Sequence, residues 1–312
     1  MDDTQIAVVT GPLPDADAQA VHRLARAAQH VDGVAPLSEQ PLLWLTDPAA
    51  RVAHLFVRAA DDFAGYAQVD LSVAGAATAE LVVHPFARRH GVGSGLLERA
   101  QLIARSGKRT LSVWAHGDLP AARALAAQAG LDVVRELWKM RLDLTSHHPE
   151  PLHLPDGVHL AAFRPGTDDD AWLAVNARAF AGHPEQGRLT AADLHARMAE
   201  DWFDPESFLL ARRGEEILGF SWLKVVGGEQ GRELGSEPGT GAAGEIYALG
   251  VDPSAQGLGL GSALTRASLD RLAQLGLTSA ELYTEGDNTV AIRTYTTAGF
   301  TRISLDVQFG VV

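Results

Sequence analysis

The chain of 312 residues carries 46% hydrophobic and 21% charged residues with a formal net charge of −13. That length sets a soft expectation of two domains, each with enough apolar material for a core. The negative balance speaks against broad attraction to nucleic acid or to an anionic membrane, and the absence of cysteine excludes disulfides, thiolate metal sites and cysteine nucleophiles. With no apolar run of about 18 residues and no secretory pattern at the N-terminus, a cytoplasmic, monomeric protein is expected.

The first clear pattern is His54–Leu71, HLFVRAADDFAGYAQVDL, which alternates as the two strands of a hairpin. Glu80-Leu-Val-Val-His-Pro85 reads as a strand ended by proline, which cannot continue a central ladder. The glycine turn Arg88-Arg-His-Gly91-Val-Gly93 follows, then a helix over Ser94–Ala104 with Leu96, Ala100 and Ile103 in one stripe. Strand Thr110–Ala115, a helix near Ala121–Ala129 and a strand with Trp138, Met140, Leu142 and Leu144 complete this half. Thr145–Gly157, with three prolines and no apolar period, reads as a linker, and its His147, His148 and His153 as solvated side chains rather than metal ligands.

The second half repeats the plan. FLLARRGEEILGFSWLKV from Phe208 matches the first hairpin at an offset of 154 (219 − 65), with Gly219 on Gly65 and Phe220 on Tyr66. In Gly244–Leu275 an apolar strand with Ile246, Ala248, Leu249 and Val251 ends at Asp252-Pro253. A helix follows, its stripe Leu264, Ala267, Leu272 and Leu275. Between them the turn Gln256-Gly-Leu-Gly259-Leu-Gly261 matches the earlier one at an offset of 168 (253 − 85), with Gln256 on Arg88, Gly259 on Gly91 and Gly261 on Gly93. The difference of 14 residues (168 − 154) falls in Gly227–Gly241, a polar glycine-rich stretch that reads as a mobile surface loop. The last strand alternates through Ile303, Leu305, Val307, Phe309 and Val311. Each half is thus a strand, one or two helices, a hairpin and then β-turn-α-β-α-β, which predicts an α/β fold of two tandem domains, each a mixed sheet with helices on its faces. The expected boundaries are 1–144 and 158–312, joined by the linker 145–157.

The glycines of the turn permit positive φ and close approach of backbone, and a helix N-terminus just behind them presents free N–H groups to an anion, so a phosphorylated ligand is indicated. A dinucleotide fingerprint needs a third glycine that Gly259-Leu-Gly261-Ser-Ala-Leu264 and Gly91-Val-Gly93-Ser-Gly-Leu96 lack, and a P-loop needs a lysine absent from both. A purely structural turn is disfavoured by its recurrence after Val-x-Pro in both halves. Arg/Gln-x-x-Gly-x-Gly after such a strand, with Asn288, Tyr295 and Gly299-Phe300 downstream, resembles the coenzyme A pyrophosphate signature of the GNAT N-acetyltransferases. Asp32–Gln40, His183–Arg188, Trp202–Pro205, Tyr247–Gln256 and Leu282–Asn288 further resemble the mycothiol synthase branch, a tandem form of that family, over essentially the whole chain.

The resemblance implies acetyl-CoA as cosubstrate, no metal, and acetyl transfer to the cysteinyl amine of Cys-GlcN-Ins, the last step of mycothiol synthesis. An α-amino group with a pKa of about 7.7–8.0 must lose a proton to attack, and positioned acid–base help contributes roughly 10²–10⁴ in rate. By resemblance Glu245 is the general base, directly or through water, and Tyr295 the general acid that protonates the leaving thiolate. For Tyr295 the competing reading is a core aromatic with Ala291 and Ala298. The first half has Ala77, Ala126 and Leu119 where the second has Glu245, Tyr295 and Asn288, so it is expected to bind acetyl-CoA at most and not to catalyse. The edge groups of Leu249, Gly250 and Val251 should meet the pantetheine arm and the developing oxyanion. Gln256, Gly257, Leu258, Gly259, Leu260, Gly261 and Ser262 should cradle the pyrophosphate, with Asn288, Ala291 and Arg293 along the same channel. By register, Leu81, Val82, Val83, Arg88, Arg89, Gly91 and Gly93 do so in the first half. Glu39, Glu185, Lys224 and Tyr283, together with Glu245, are the substrate candidates, resting on the resemblance. Glu39 and Glu185 each precede Gln in corresponding segments, which favours a shared inter-domain pocket, and solvated loop carboxylates are the alternative. Two other functions stay open: a tandem acetyltransferase for an aminoglycoside, polyamine or peptide N-terminus, and a non-catalytic acyl-CoA sensor.

Overall fold

The computed structural model describes residues 6–59, 62–149, 151–182, 186–225 and 242–311. The first half runs β1 (Ala7–Thr10), α1 (Asp15–Asp32), α2 (Glu39–Leu43), β2 (Val52–Ala59), β3 (Asp62–Asp70), β4 (Ala76–Val83), α3 (Val92–Ser106), β5 (Thr110–Ala115), α4 (Pro120–Gln128) and β6 (Asp132–Asp143). The second runs β7 (Val158–Ala162), α5 (Asp169–Ala179), α6 (Ala191–Met198), β8 (Phe208–Arg213), β9 (Glu216–Lys224), β10 (Ala243–Val251), α7 (Leu260–Gln274), β11 (Ser279–Glu285), α8 (Thr289–Thr297) and β12 (Thr301–Gly310). The segment 226–241, which holds the expected surface loop, lies outside the described residues.

The repeat holds in three dimensions down to its irregularities. The hairpins β2–β3 and β8–β9 each shift register at the same place, between Val57 and Arg58 and between Ala211 and Arg212. Helices α3 and α7 are both 15 residues long and both begin after a left-handed glycine, Gly91 at φ 85° and Gly259 at φ 79°. Beyond β5 and β11 the offset grows by one, because Leu119 and Asn288 cap α4 and α8 at a separation of 169 (288 − 119).

The chain divides into two compact units, Met1–Leu137 with Ser304–Val312, and Trp138–Ile303. The boundaries cut β6 after Leu137 and β12 before Ser304; the strand order is β1-β2-β3-β4-β5 and then β12 from Ser304 on in the first unit, and β6 from Trp138 on, then β11-β10-β9-β8-β7, in the second. In the first, β12 pairs antiparallel with β5, Val307 opposite Ala115 and Phe309 opposite Val113, and Val307 and Phe309 are buried in its core. In the second, Met140 and Leu144 of the first half are buried with Ile246, Leu269, Leu272 and Leu282. The units therefore differ from the expected 1–144 and 158–312 at the last strand of each half. Alternation identifies a strand, but says nothing of which sheet it joins.

Each sheet is covered on both faces. In the first unit Ala18, Val21, Leu24 and Ala28 of α1 pack on Phe56, Phe63, Tyr66 and Val82, while Leu96, Leu97, Ala100 and Ala104 of α3 pack on the other face. In the second, Trp172 of α5 and Leu194 of α6 join Phe208, Phe220 and Trp222, and Leu260 and Leu264 of α7 cover the opposite side. Leu275, expected in the stripe of α7, instead caps the helix and is 41% exposed. His147 is not a solvated linker residue either: its Nε2 lies 2.7 Å from Asp270 Oδ1 of α7, with both side chains largely buried. Among the described residues no helix is long and apolar enough to cross a membrane.

Candidate active site

Each unit has a pair of central parallel strands that part. β10 and β11 are in register only over Ala243–Ile246 and Ser279–Leu282, although they continue to Val251 and Glu285. β4 and β5 part in the same way after Glu80 and Trp114. The parting leaves the polar edge of Leu249, Gly250 and Val251, and of Leu81, Val82 and Val83, outside the parallel ladder, where an extended polar ligand can satisfy it.

Only the second unit combines this with a bulge in the central strand. β4 keeps an unbroken register with β3, from Gly65 opposite Val83 to Asp70 opposite Thr78. In the second unit Gly219 stands opposite Val251 as the repeat requires, but the register shifts between Ile246 and Ala248, so that Lys224 faces Glu245. The repeat alone would put Ile246 there. The extra residue is Tyr247, and such an insertion bends a strand and re-aims its side chains.

Around the bulge, Lys224 Nζ lies 5.3 Å from the Trp202 ring centroid and 6.0 Å from that of Tyr247, and Arg197 Nε donates to Tyr247 Oη at 2.9 Å. Tyr247 and Arg197 were not picked out from the sequence as site residues. The position of Tyr247, two residues past Glu245 on one strand, was the available signal; nothing marks Arg197. In the parallel register Glu245 is also next to Glu281, which is held by Lys139 at 2.7 Å and by Arg141. Burial alone would raise the Glu281 carboxyl, but these two cations outweigh it and hold the group below its usual range. Glu281 is thus committed to structure. Tyr283, two residues further along β11, is 45% exposed and has Lys139 5.6 Å from its ring centroid.

Tyr295 on α8 is buried, with its ring edge-on to Phe300 at 5.8 Å, in one cluster with Ala291 and Ala298. Burial pushes its phenol up to about 12, which keeps the proton on the oxygen at neutral pH. A packed ring and a retained proton are compatible, so the core reading and the acid reading describe the same residue. Asn288 is the N-cap of α8: its Oδ1 accepts from the Ala291 N–H at 3.1 Å. Asn288 and Ala291, both expected along the coenzyme channel, are thus bonded to each other through the Asn288 side chain, while Arg293 is exposed.

The turn before α7 has Gly257 at φ 78° and Gly259 at φ 79°, with Gln256, Leu258 and Ser262 exposed and Leu260 buried in the core. At Gly261 an added Cβ would meet no atom within 4 Å. Asp252 fixes the start of this turn through Ser254 and is paired with Arg178 of α5 at 2.7 Å. The first unit repeats the turn with different polar bonding. Arg88 holds Asp32 in a fork at 2.7 Å through both terminal nitrogens, and its Nε donates to the Val83 carbonyl at 3.2 Å. Arg89 takes the left-handed place of Gly257 at φ 66°, and a Cβ at Gly93 would touch Leu125 and Val83 at 3.5 Å.

Of the remaining substrate candidates, Glu39 is exposed at the start of α2, and Glu185 lies outside the described residues. Its neighbour Gln186 is held by Asn176, whose Nδ2 donates to the Gln186 carbonyl at 2.6 Å and whose Oδ1 accepts from the Gln186 amide at 3.1 Å. Among the described residues no cluster of three His, Asp or Glu side chains could hold a metal ion.

A model of the Acetyltransferase (GNAT) family matches residues 19–131 and 176–300. The chain is 65% identical to a mycothiol acetyltransferase of Sanguibacter keddieii, covering 99% of this chain and 97% of that protein. To a mycothiol acetyltransferase of Cellulomonas flavigena it is 52% identical, with 98% and 89% covered. Among solved structures, a GCN5-related N-acetyltransferase from Sphaerobacter thermophilus aligns with a TM-score of 0.73 at 23% identity over 99% of this chain and 96% of that one. A tandem GNAT protein from the clavulanic acid biosynthesis pathway aligns with a TM-score of 0.71 at 20% identity, with 98% of each chain covered. At those identities the structures speak for the tandem fold.

Proposed function

The chain belongs to the acetyltransferase (GNAT) family, and from that premise we propose that it acetylates the cysteinyl amine of Cys-GlcN-Ins with acetyl-CoA, completing mycothiol. The observation that carries the assignment of chemistry to the second unit is the bulge at Tyr247, which sets Glu245 opposite Lys224 beside the parted strands. The first unit has Ala77 in place of Glu245 and no bulge between its central strand β4 and β3. In this reading Glu245 takes a proton from the ammonium, directly or through water, and frees the lone pair for attack on the thioester carbonyl. The backbone N–H groups of Leu249 to Val251 meet the charge that develops on the carbonyl oxygen, Tyr295 gives its proton to the departing thiolate, and the acylated nitrogen sheds its remaining extra proton to solvent to leave the amide. Gln256 to Ser262 hold the pyrophosphate at the start of α7, with Asn288, Ala291 and Arg293 near it. Glu39, Glu185, Lys224 and Tyr283 bind the hydroxyl-rich glycoside. The first unit binds acetyl-CoA at most and does no chemistry.

The relatives named mycothiol acetyltransferase support the choice of substrate. Turnover of acetyl-CoA with Cys-GlcN-Ins, set against a panel of aminoglycosides, polyamines and peptide N-termini, tests it. Preference for the glycoside is expected. Faster turnover of another amine would replace the substrate and leave the acetyltransferase standing.

A further inference from the structure

Glu80 is a buried carboxylate on the central strand of the first unit, where the repeat has Ala248 in the second. A buried carboxylate is costly unless it is hydrogen-bonded and paired, and Glu80 is both. Its Oε2 accepts from the Ser38 backbone N–H at 2.7 Å and its Oε1 from the Ser38 hydroxyl at 2.6 Å. On its other side His116 Nε2 stands 3.3 Å from Oε2. His116 Nδ1 is 3.0 Å from Asp306, whose second oxygen accepts from the Gly117 N–H at 2.9 Å. Ser38 gives its proton to Glu80 and not to His116, so this is not the wiring of a serine nucleophile.

Directly across the sheet from Glu80 is Gln68. Its Nε2 donates to the Pro41 carbonyl at 2.9 Å. Ser38 is the N-cap of α2 and Pro41 is its third residue. One cross-strand pair therefore grips α2 at two points, and Glu39 lies between them. A helix of five residues has no stability of its own, so its place is set by what holds it.

We propose that Glu80 and Gln68 are positioning residues for the substrate: they hold α2 so that Glu39 meets the cysteinyl glycoside, with His116 and Asp306 bracing Glu80. This rests on the reading of Glu39 as a substrate-binding residue. Steady-state kinetics of Glu80→Gln, Gln68→Met and Glu39→Ala, singly and with each of the first two combined with Glu39→Ala, test it. Each single variant should raise KM for Cys-GlcN-Ins about tenfold, with kcat and KM for acetyl-CoA within about twofold of wild type. In the Glu39→Ala background neither further change should raise KM again, because the residue being positioned is gone. Effects on KM that multiply would overturn the proposal. So would a raised KM in Glu39→Ala alongside wild-type values in both positioning variants. A wild-type KM in Glu39→Ala would instead remove the reading of Glu39 beneath it. Thermal melts check that each variant folds, and Ser38→Ala, which deletes only the hydroxyl leg of the grip, decides if the two interior variants do not.

Discussion

Glu245 stands opposite Lys224 because the strand between Ile246 and Ala248 holds one residue more than its partner accommodates. In the first unit the matching strands run without interruption and Asp70 faces Thr78. Deleting Tyr247 should restore that simpler register and put Ile246 opposite Lys224. The expected loss in kcat is about 10²–10⁴-fold, as large as that of Glu245→Gln. A deletion variant that folds and turns over at the wild-type rate would show that the bulge does not place the base.

The phenol of Tyr295 is pushed up to about 12 by burial. A general acid works in its protonated form, so its contribution is present throughout the neutral range and is lost only as pH rises through about 12. The kcat–pH profile should therefore show no decline from this group up to about pH 10. Tyr295→Phe keeps the ring against Phe300, so the melting temperature should hold while kcat falls about 10²-fold or more. An unchanged kcat would leave Tyr295 a core residue only.

Two glycines of the proposed coenzyme region should behave oppositely. A Cβ at Gly250 would lie 2.8 Å from the Phe220 ring and 2.9 Å from the Phe180 ring, so Gly250→Ala should cost about 1–3 kcal/mol in denaturant unfolding. A Cβ at Gly261 meets nothing. Gly261→Ala should leave stability unchanged or raise it by up to about 1 kcal/mol, while weakening acetyl-CoA binding about tenfold by occupying the space of the pyrophosphate. Calorimetric titration with acetyl-CoA separates the two effects, and undiminished affinity would move the pyrophosphate away from Gly261.

His116 makes the stability of the first unit depend on pH. Burial by itself would lower its pKa, but the hydrogen bond to Asp306 and the Glu80 carboxylate outweigh burial and push it up to about 10. Because the folded value lies above the unfolded one of about 6.5, the stabilisation is complete below pH 6.5 and drains away as pH rises towards 10. Unfolding midpoints measured across that range should fall in the wild type and stay flat in His116→Asn. Parallel slopes would contradict the ion cluster.

The duplication and the glycine turns were legible because each rests on local chemistry: alternation and positive φ. The bulge was not. Its extra residue is a tyrosine, with no glycine or proline to mark it, and it shows only when β10 is laid against β9. The engagement of Arg88 with Asp32 joins residues 56 apart in the chain, and the bond from Arg197 to Tyr247 joins residues 50 apart; contacts of that span leave no trace in spacing. The partners of the two last strands were hidden for a related reason, since an edge of backbone hydrogen-bonding groups accepts any strand of suitable alternation.

That partnership bears on how the protein comes into being. The first unit takes Ser304–Val312 as its own, with Val307 and Phe309 in its core, and these are translated only after the whole of the second unit. A unit earlier in the chain usually folds while the rest is still being made; here it must wait, incomplete along one side of β5, until Val307 and Phe309 have been made. Severing the chain at 145–157 would therefore yield two fragments that each lack part of a sheet, and loss of the chain from Ser304 onwards would injure the half that was translated first.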